Sequence, residues 1–392
     1  MIHCRVLGPI EVSVDGGPAP PELLWRKNLA LLVYLARSPK RSRSREHLIG
    51  LLWPDKPEQA ARHSLNEALR PIRRCLGEDQ VSAQADRVQL EPGAVRLDTE
   101  DFEALAQAGD WPGAAALVGG VFLEGLAIPG ASGFEEWLTV EQRIWGQRTV
   151  EALLHTAARE LEAGRVREAG VVAARARAID PVSESSARAL MRALALDGDR
   201  AGALQTYEDL RARLEQDLKA QPSADTTTLM ERIRRERERR TPTTGVRDAG
   251  PERRRAPLVG RESELGSLWD AWQRGPGAGT AAAVVVAGDA GVGKTRLVDE
   301  LVARIRLEGA IPSLVRAVEG DAQAPWNGVL GLAAGGLLDG AGLAAAPPAA
   351  LAWFAKGLPD WADRFPSIRT ATPLASPAHA FNDVLRGALD EQ

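Results

Sequence analysis

The sequence predicts a multidomain, mainly α chain. It combines a winged helix-turn-helix of α+β type, a TPR-like α-helical repeat domain, and a partial α/β P-loop NTPase domain. Three observations lead there. The first hundred residues read as short β-patterned runs, three helices and a closing hairpin. Gly164 and Gly198 lie 34 positions apart, as do Ala169 and Ala203, inside a long helix-patterned stretch. An apolar run ending in GDAGVGKT then precedes an amphipathic helix.

A chain of 392 residues is too long for one core. Composition shifts divide it into a winged-helix domain at 1–97, a repeat domain at 98–236, a linker at 237–256 and a P-loop module at 257–392. The linker, within RRERERRTPTTGVRDAGPERRR, has too few large apolar residues to order itself. The net charge of −4 carries no whole-chain signal for nucleic acid. Residues 1–97, however, hold 15 Lys and Arg against 11 Asp and Glu, a basic head on an acidic body. Cys4 and Cys75 are the only cysteines, without a CxxC or a His pair at ligand spacing. That excludes a disulfide framework and a structural metal, and suits a reducing cytoplasm. The opening MIHCRVLGPI lacks the layout of a signal peptide. The run GVLGLAAGGLL is interrupted by Asp339 and Pro347–Pro348 well before the roughly 20 residues that span a bilayer, so no membrane association is expected.

In the first domain, Val6, Ile10, Val12 and Val14 alternate in places and Asp15–Gly16 marks a turn. A helix from about Lys27 to Arg37 carries Leu29, Leu32, Val33 and Leu35 on its apolar side. Ser44 stands three residues before His47 at the start of a second helix, whose Leu48, Leu51, Leu52 and Trp53 look like core. Pro57 and Gly77 bracket a third helix. VSAQADRVQL reads as a hairpin with its turn near Ala85–Asp86.

The third helix, 58–76, separates two faces on a wheel. Ala61, Leu65, Ala68, Leu69, Ile72 and Leu76 share one arc, and Arg62, His63, Asn66, Glu67, Arg70, Arg73 and Arg74 fill the other. A helix lying in a major groove needs this division, an apolar back and a front able to meet base edges and phosphates. Arg pairs bidentately with guanine and Asn with adenine, which puts Asn66 forward as an adenine reader. Arg37, Lys40, Arg41, Arg43 and Arg45 in RSPKRSRSR, with Arg87 in the wing, are placed for phosphate contacts. A surface helix in any Arg-rich protein divides in a similar way; the flanking basic loop and wing favour double-stranded DNA. Pro71 removes a helix N–H, so a bend is expected there, with 58–70 entering the groove.

The VLGP opening, RKNLALLVYLA, SREHLIGLLWPD, ARHSLNEALRPIRRCLG and RVQLEPGAVRLD together resemble the amino-terminal domain of the Streptomyces antibiotic regulatory protein family. The resemblance implies a response-regulator-type winged helix with Arg62, His63, Asn66, Arg70, Arg73 and Arg74 in its recognition helix. It also implies promoter DNA and RNA polymerase as partners. Further on, LDTEDFEAL, GDWPGAAALVGGVFLEGL, FEEWLTVEQR, IDPVSESSARALMRAL and GDRAGALQTYEDLRARLEQDL resemble the bacterial transcriptional activator domain that follows it in that family. This second resemblance implies self-association into a homo-oligomer. Trp111, Trp137, Trp145 and Tyr207 are read as packing residues, Asp180–Pro181 as a helix breaker.

AAAVVVAG, Ala281 to Gly288, reads as a buried strand before the glycine-rich loop. In that loop Gly288, Asp289, Ala290, Gly291, Val292, Gly293, Lys294 and Thr295 fit the Walker A pattern. Backbone N–H groups and the helix amino terminus would cradle phosphates, Lys294 would meet the β/γ charge, and Thr295 would hold Mg²⁺ with ATP or ADP. The following helix places Leu297, Val298, Leu301, Val302 and Ile305 on one face. Upstream, LVGRESELGSLWDAW resembles the lead-in of the signal-transduction AAA-like ATPases through Gly260 and Arg261. After Lys294 come strand-like PSLVRAV and Gly/Ala-rich helices, but no apolar strand ending in an acid pair. The module is therefore expected to be cut before Walker B, with nucleotide binding at best, weak or absent hydrolysis, and no catalytic residues.

Three readings follow. The first is a DNA-binding transcriptional activator carrying a nucleotide-binding module. The alternative is a signalling P-loop NTPase whose amino-terminal domains are protein-interaction modules, or a helical-repeat scaffold alone. Arg62 and Asn66 on the outer face of the third helix favour the first.

Overall fold

The computed structural model describes residues 1–82, 86–239, 258, 260–274, 283–315, 326–335, 343, 346–359, 361–362 and 365–389. It is mainly helical and multidomain, with a small β-sheet region at its amino end. The described residues fall into two compact units, one built on Met1–Met230 and the other on Ser267–Gln392.

The first unit opens with β1 (Ile2–Arg5), β2 (Glu11–Val14) and β3 (Gly17–Pro18), joined by β7 (Val95–Leu97) in the order β3-β2-β1-β7. Only the β1–β7 pairing is parallel, with Ile2 opposite Val95. Three helices follow, α1 (Arg26–Arg37), α2 (Arg45–Leu52) and α3 (Glu58–Leu76). Every residue of α1 from Asn28 to Ala36 is buried, more than the one apolar side read from its sequence. The reason is that α1 is covered on several sides, by α2, α3, β6 and β7. Ser44 caps α2 as expected, its Oγ accepting the His47 N–H at 3.2 Å. The wing is a second sheet in the order β4-β6-β5, built from β4 (Ser42–Ser44), β5 (Val81–Ser82) and β6 (Arg87–Leu90). Residues 83–85, and with them part of the expected turn, lie outside the described residues.

Behind this region run α4 (Asp98–Gln107), α5 (Trp111–Leu117), α6 (Ser132–Glu162), α7 (Val166–Ile179), α8 (Glu184–Asp197) and α9 (Arg200–Arg213); α10 (Ala224–Arg239) begins in this unit and belongs to the other from Glu231 on. Gly164 and Gly198 both sit at turns with φ near +84° and +89°, a left-handed backbone that glycine adopts without a Cβ penalty. Ala169 and Ala203 are fully buried, where only a small side chain lets paired helices approach. The same junction occurs once more, earlier in the chain. Gly109 (φ +74°), Asp110, Gly113 and Ala114 match Gly198, Asp199, Gly202 and Ala203 position by position. Asp110 and Asp199 each accept the N–H of the glycine three residues on, at 3.0 and 2.9 Å. α10 continues to Arg239, three residues into the segment read as linker, and residues 240–256 lie outside the described residues.

The sequence division at 97/98 does not coincide with a break in packing. One apolar core runs from Ile2 through Leu65, Val95, Phe122 and Trp145 to Ala176. Asp98, buried at the start of α4, accepts the Val6 N–H at 2.9 Å and the Leu7 N–H at 3.1 Å. Leu7 O in turn accepts the N–H groups of Gly119 and Gly120 at 2.6 and 3.0 Å, and Val6 O that of Leu123 at 2.8 Å. Trp145, fully buried on α6, stacks on Phe122 and meets Phe102 edge-on. Arg37 of α1 and Arg148 of α6 each approach its ring at 5.1 Å, and its Nε1–H donates to Glu141, which also pairs with Arg37 at 3.1 Å. Tyr207 is also buried, while Trp111 and Trp137 are half-buried; Trp137 packs edge-on against Tyr34 of α1. Burial beside the Asp98 carboxylate pushes the Cys4 thiol up to about 12, so it stays protonated.

Beyond α11 (Glu262–Arg274), the second unit holds α12 (Lys294–Leu307), α13 (Asn327–Ala334), α14 (Pro348–Ala355) and a last helix, Pro377–Leu389. Phe354, Trp361, Ala380 and Val384 are fully buried at its centre. The strands expected at Ala281–Gly288 and in PSLVRAV are corrected here. Residues 283–288 and 311–315 belong to no strand, Val285 is 87% exposed, and residues 281–282 and 316–318 lie outside the described residues. An apolar strand of this kind is stable only between hydrogen-bonded neighbours. Among the described residues of this unit there is no second strand to supply them. No helix among the described residues is long and apolar enough to cross a membrane.

Candidate nucleic-acid interface and phosphate loop

The back of α3 is as the wheel anticipates. Ala61, Leu65, Ala68, Leu69 and Ile72 are buried, and Leu76 at the last turn is half-buried. The helix runs unbroken through Pro71, itself buried. On its front Arg62, His63, Asn66, Glu67, Arg70 and Arg74 are exposed. Arg62 pairs with Glu58 at 2.6 Å and Arg70 with Glu67 at 3.0 Å, both within the helix and open to water. Exposed pairs of this kind are worth about 0–1 kcal/mol, so an incoming phosphate displaces them at little cost. Asn66 accepts on Oδ1 a hydrogen bond from Arg45, the first residue of α2. Arg73 faces away from this group: it is half-buried and lies 3.7 Å from Glu78 beyond the helix end.

The expected phosphate-contacting cations separate into two kinds: Lys40 stays exposed on the loop, whereas Arg37 is turned inward, over Trp145 and paired with Glu141. Arg41 is tied inward, donating to Val95 O at 2.6 Å and to Glu100 at 2.7 Å, which fastens the loop to β7 and α4. Arg43 lies over the Tyr34 ring and donates to Ser38 Oγ at 2.9 Å. Arg45 and Arg87 remain beside α3 and on the wing; Arg87 is exposed, with its Nε–H on Ser42 Oγ at 3.2 Å. Sequence reading missed Lys56, an exposed cation in the turn before α3 that donates to Ser64 at 2.8 Å. The signal was its place directly ahead of the helix-starting Pro57. His47, hydrogen-bonded to the Tyr34 hydroxyl at 2.7 Å, has its pKa lowered by burial and by the Arg43 charge, so its ring is held neutral.

In the second unit the glycine-rich loop is exposed from Gly288 to Gly293. Gly291 and Gly293 adopt φ of +85° and +92°, with open space where a side chain would stand. Gly293 begins α12 with no side chain capping the helix's first N–H groups. Lys294 folds back over the loop, its Nζ 2.8 Å from both Gly288 O and Asp289 O, and Thr295 is exposed beside it. Uncapped N–H groups, a helix amino terminus and one ammonium fit a polyphosphate. Of the apolar face expected on α12, Leu297 and Val302 are buried, while Val298, Leu301 and Ile305 are only half-buried. Glu300 and Arg304 are buried in their stead, as an ion pair at 3.8 Å. Among the described residues no group of His, Cys, Asp and Glu could hold a metal.

Two family models match the chain. Residues 85–234 match the bacterial transcriptional activator domain, and residues 257–392 match the AAA ATPase domain, which implies nucleotide binding. A solved structure of Mycobacterium tuberculosis EmbR, in complex with a low affinity phosphopeptide, is similar at 22% identity and a TM-score of 0.47. That likeness covers 69% of this chain and 71% of the other. No curated protein matches. The chain thus carries a bacterial transcriptional activator domain followed by an AAA ATPase domain.

Proposed function

We propose that this protein is a DNA-binding transcriptional regulator of the activator type, which grips double-stranded promoter DNA through α3. The observation that carries the reading is the exposed face of Arg62, His63, Asn66, Arg70 and Arg74 on a helix whose back is locked into the core. Arg45, Arg87 and Lys56 stand beside it as further cations, and an activator domain follows in the same unit. RNA polymerase and a second copy of the chain are the protein partners this reading brings with it.

Gel shifts on genomic fragments test it. An Arg62→Ala/Asn66→Ala protein is expected to lose at least tenfold in specific affinity, since one bidentate base contact is worth about 1–3 kcal/mol. Affinity should fall with salt at a log–log slope of about −0.9 per phosphate neutralised. Equal binding by both proteins, without sequence preference, would refute the assignment.

The loop at 288–295 is assigned to ATP or ADP with Mg²⁺, Thr295 meeting the metal and Lys294 the phosphates. Lys294→Ala is expected to weaken ADP–Mg²⁺ binding at least tenfold by titration calorimetry, and an unchanged affinity would remove the loop from the site.

A further inference from the structure

We infer that Arg45 and Asn66 form a single reading head, made only of hydrogen-bond donors, that selects guanine in the major groove. This rests on the DNA-reading role proposed above and replaces the adenine assignment that Asn66 receives from its residue type alone.

Both residues are held by the fold. The Arg45 N–H donates to Asp86 O at 2.7 Å, which fixes its main chain to the wing turn just as α2 begins. Asn66 sits mid-helix between buried Leu65 and Leu69 on α3. A guanidinium carries donors and no acceptor, so the amide atom facing Arg45 is the oxygen, Oδ1. The amide nitrogen, with both its hydrogens, is then turned away from Arg45. The other N–H groups of Arg45 are donors too. Arg62 and Arg70 find their partners on their own helix, whereas Asn66, like Arg74 through Glu22, is oriented by another part of the fold.

Base edges respond differently to such a head. Guanine offers two acceptors, O6 and N7, whereas adenine pairs one acceptor with an amino donor and cytosine presents an amino donor. Asparagine reads adenine by accepting from the amino group while donating to N7. Here Arg45 takes one of the two lone pairs of the accepting oxygen, and its positive charge and remaining N–H groups beside the other disfavour an adenine amino group arriving there. Guanine meets no such conflict.

The test is selection of binding sites from a randomised duplex library with the full chain, followed by affinities for single-base variants. The position read by Asn66 is the one where Asn66→Ala loses selectivity. Guanine is expected there, with adenine or 7-deazaguanine binding roughly 5- to 150-fold more weakly. Arg45→Ala should bring the guanine-to-adenine ratio down to one or below by freeing the amide oxygen, while Arg45→Lys, still a donor to that oxygen, keeps most of the preference. A wild-type preference for adenine at that position, or an Arg45→Ala protein with its guanine preference intact, overturns the inference and leaves the DNA-reading role standing. A library that yields no enriched motif brings down that role itself, and this inference with it.

Discussion

A fragment ending at Leu97 is expected to lose the cooperative unfolding transition of the intact chain and to give a collapsed amide NMR spectrum. The winged-helix region does not close its own core. Its apolar interior continues into Phe102, Phe122, Phe134 and Trp145, which such a fragment lacks. The same cut removes the carboxylate that accepts the Val6 and Leu7 N–H groups and the loop N–H groups that bond Val6 and Leu7 oxygens. Buried polar groups left without partners cost about 1–3 kcal/mol each, enough in number to exhaust a marginal stability. A fragment that melts cooperatively within a few degrees of the intact protein would show that the two parts are separable. In the intact chain Asp98→Ala leaves two of these donors unmet and is expected to cost several times 1 kcal/mol. The charge on Asp98 is not the source of that stability. Burial raises its pKa above the ordinary carboxylate value despite the N–H groups of Val6, Leu7 and Thr99 and the Arg5 charge, which act to lower it. The proton is thus bound more tightly in the folded state, and the resulting stability is present in acid and lost as pH rises through the folded-state pKa. Acid unfolding of this unit must begin at other carboxylates.

Trp145→Ala is expected to destabilise the first unit by about 3–5 kcal/mol, the range for truncating a fully buried tryptophan. For a unit of this size that corresponds to a fall in melting temperature of roughly 6–20 °C. The loss is more than a cavity. The ring lies beside two arginines, one from each part of the unit, and its N–H holds Glu141, the partner of Arg37. Removing it leaves that half-buried ion pair without its support. Trp145→Phe should recover part of the loss through Phe122 and Phe102. A thermal melt showing less than about 1 kcal/mol for Trp145→Ala would mean that this joint contributes little to the unit.

The features legible in the sequence are those written locally. The two faces of α3, the cap at Ser44, and the glycines and alanines of the repeat all follow from periodicity or from a residue's own backbone preference. What the sequence hid depends on contacts between distant residues. Asp98 reads as an ordinary acid at a helix start, yet its partners lie 92 positions away. Arg41 looks like its basic neighbours until β7 and α4 are folded against it. The apolar run before the phosphate loop has strand composition, but a strand needs a ladder, and composition says nothing about its neighbours. The junction at Gly109 was readable in principle, since GDWPGA repeats the spacing of GDRAGA. It escapes a search at a fixed period because α6, at 31 residues, is about twice the length of the helices that follow it.

The continuous interior of the first unit has a mechanical consequence. A reading element on a tether can swivel until it finds its sequence, whatever its cargo is doing. Here the helix that would meet the bases and the first of the repeats behind it share one core as far as α7, and would turn together. Anything gripped by those repeats is therefore carried to a set rotational phase around the duplex, and shifting its contact point by half a helical turn of DNA would swing it to the opposite side.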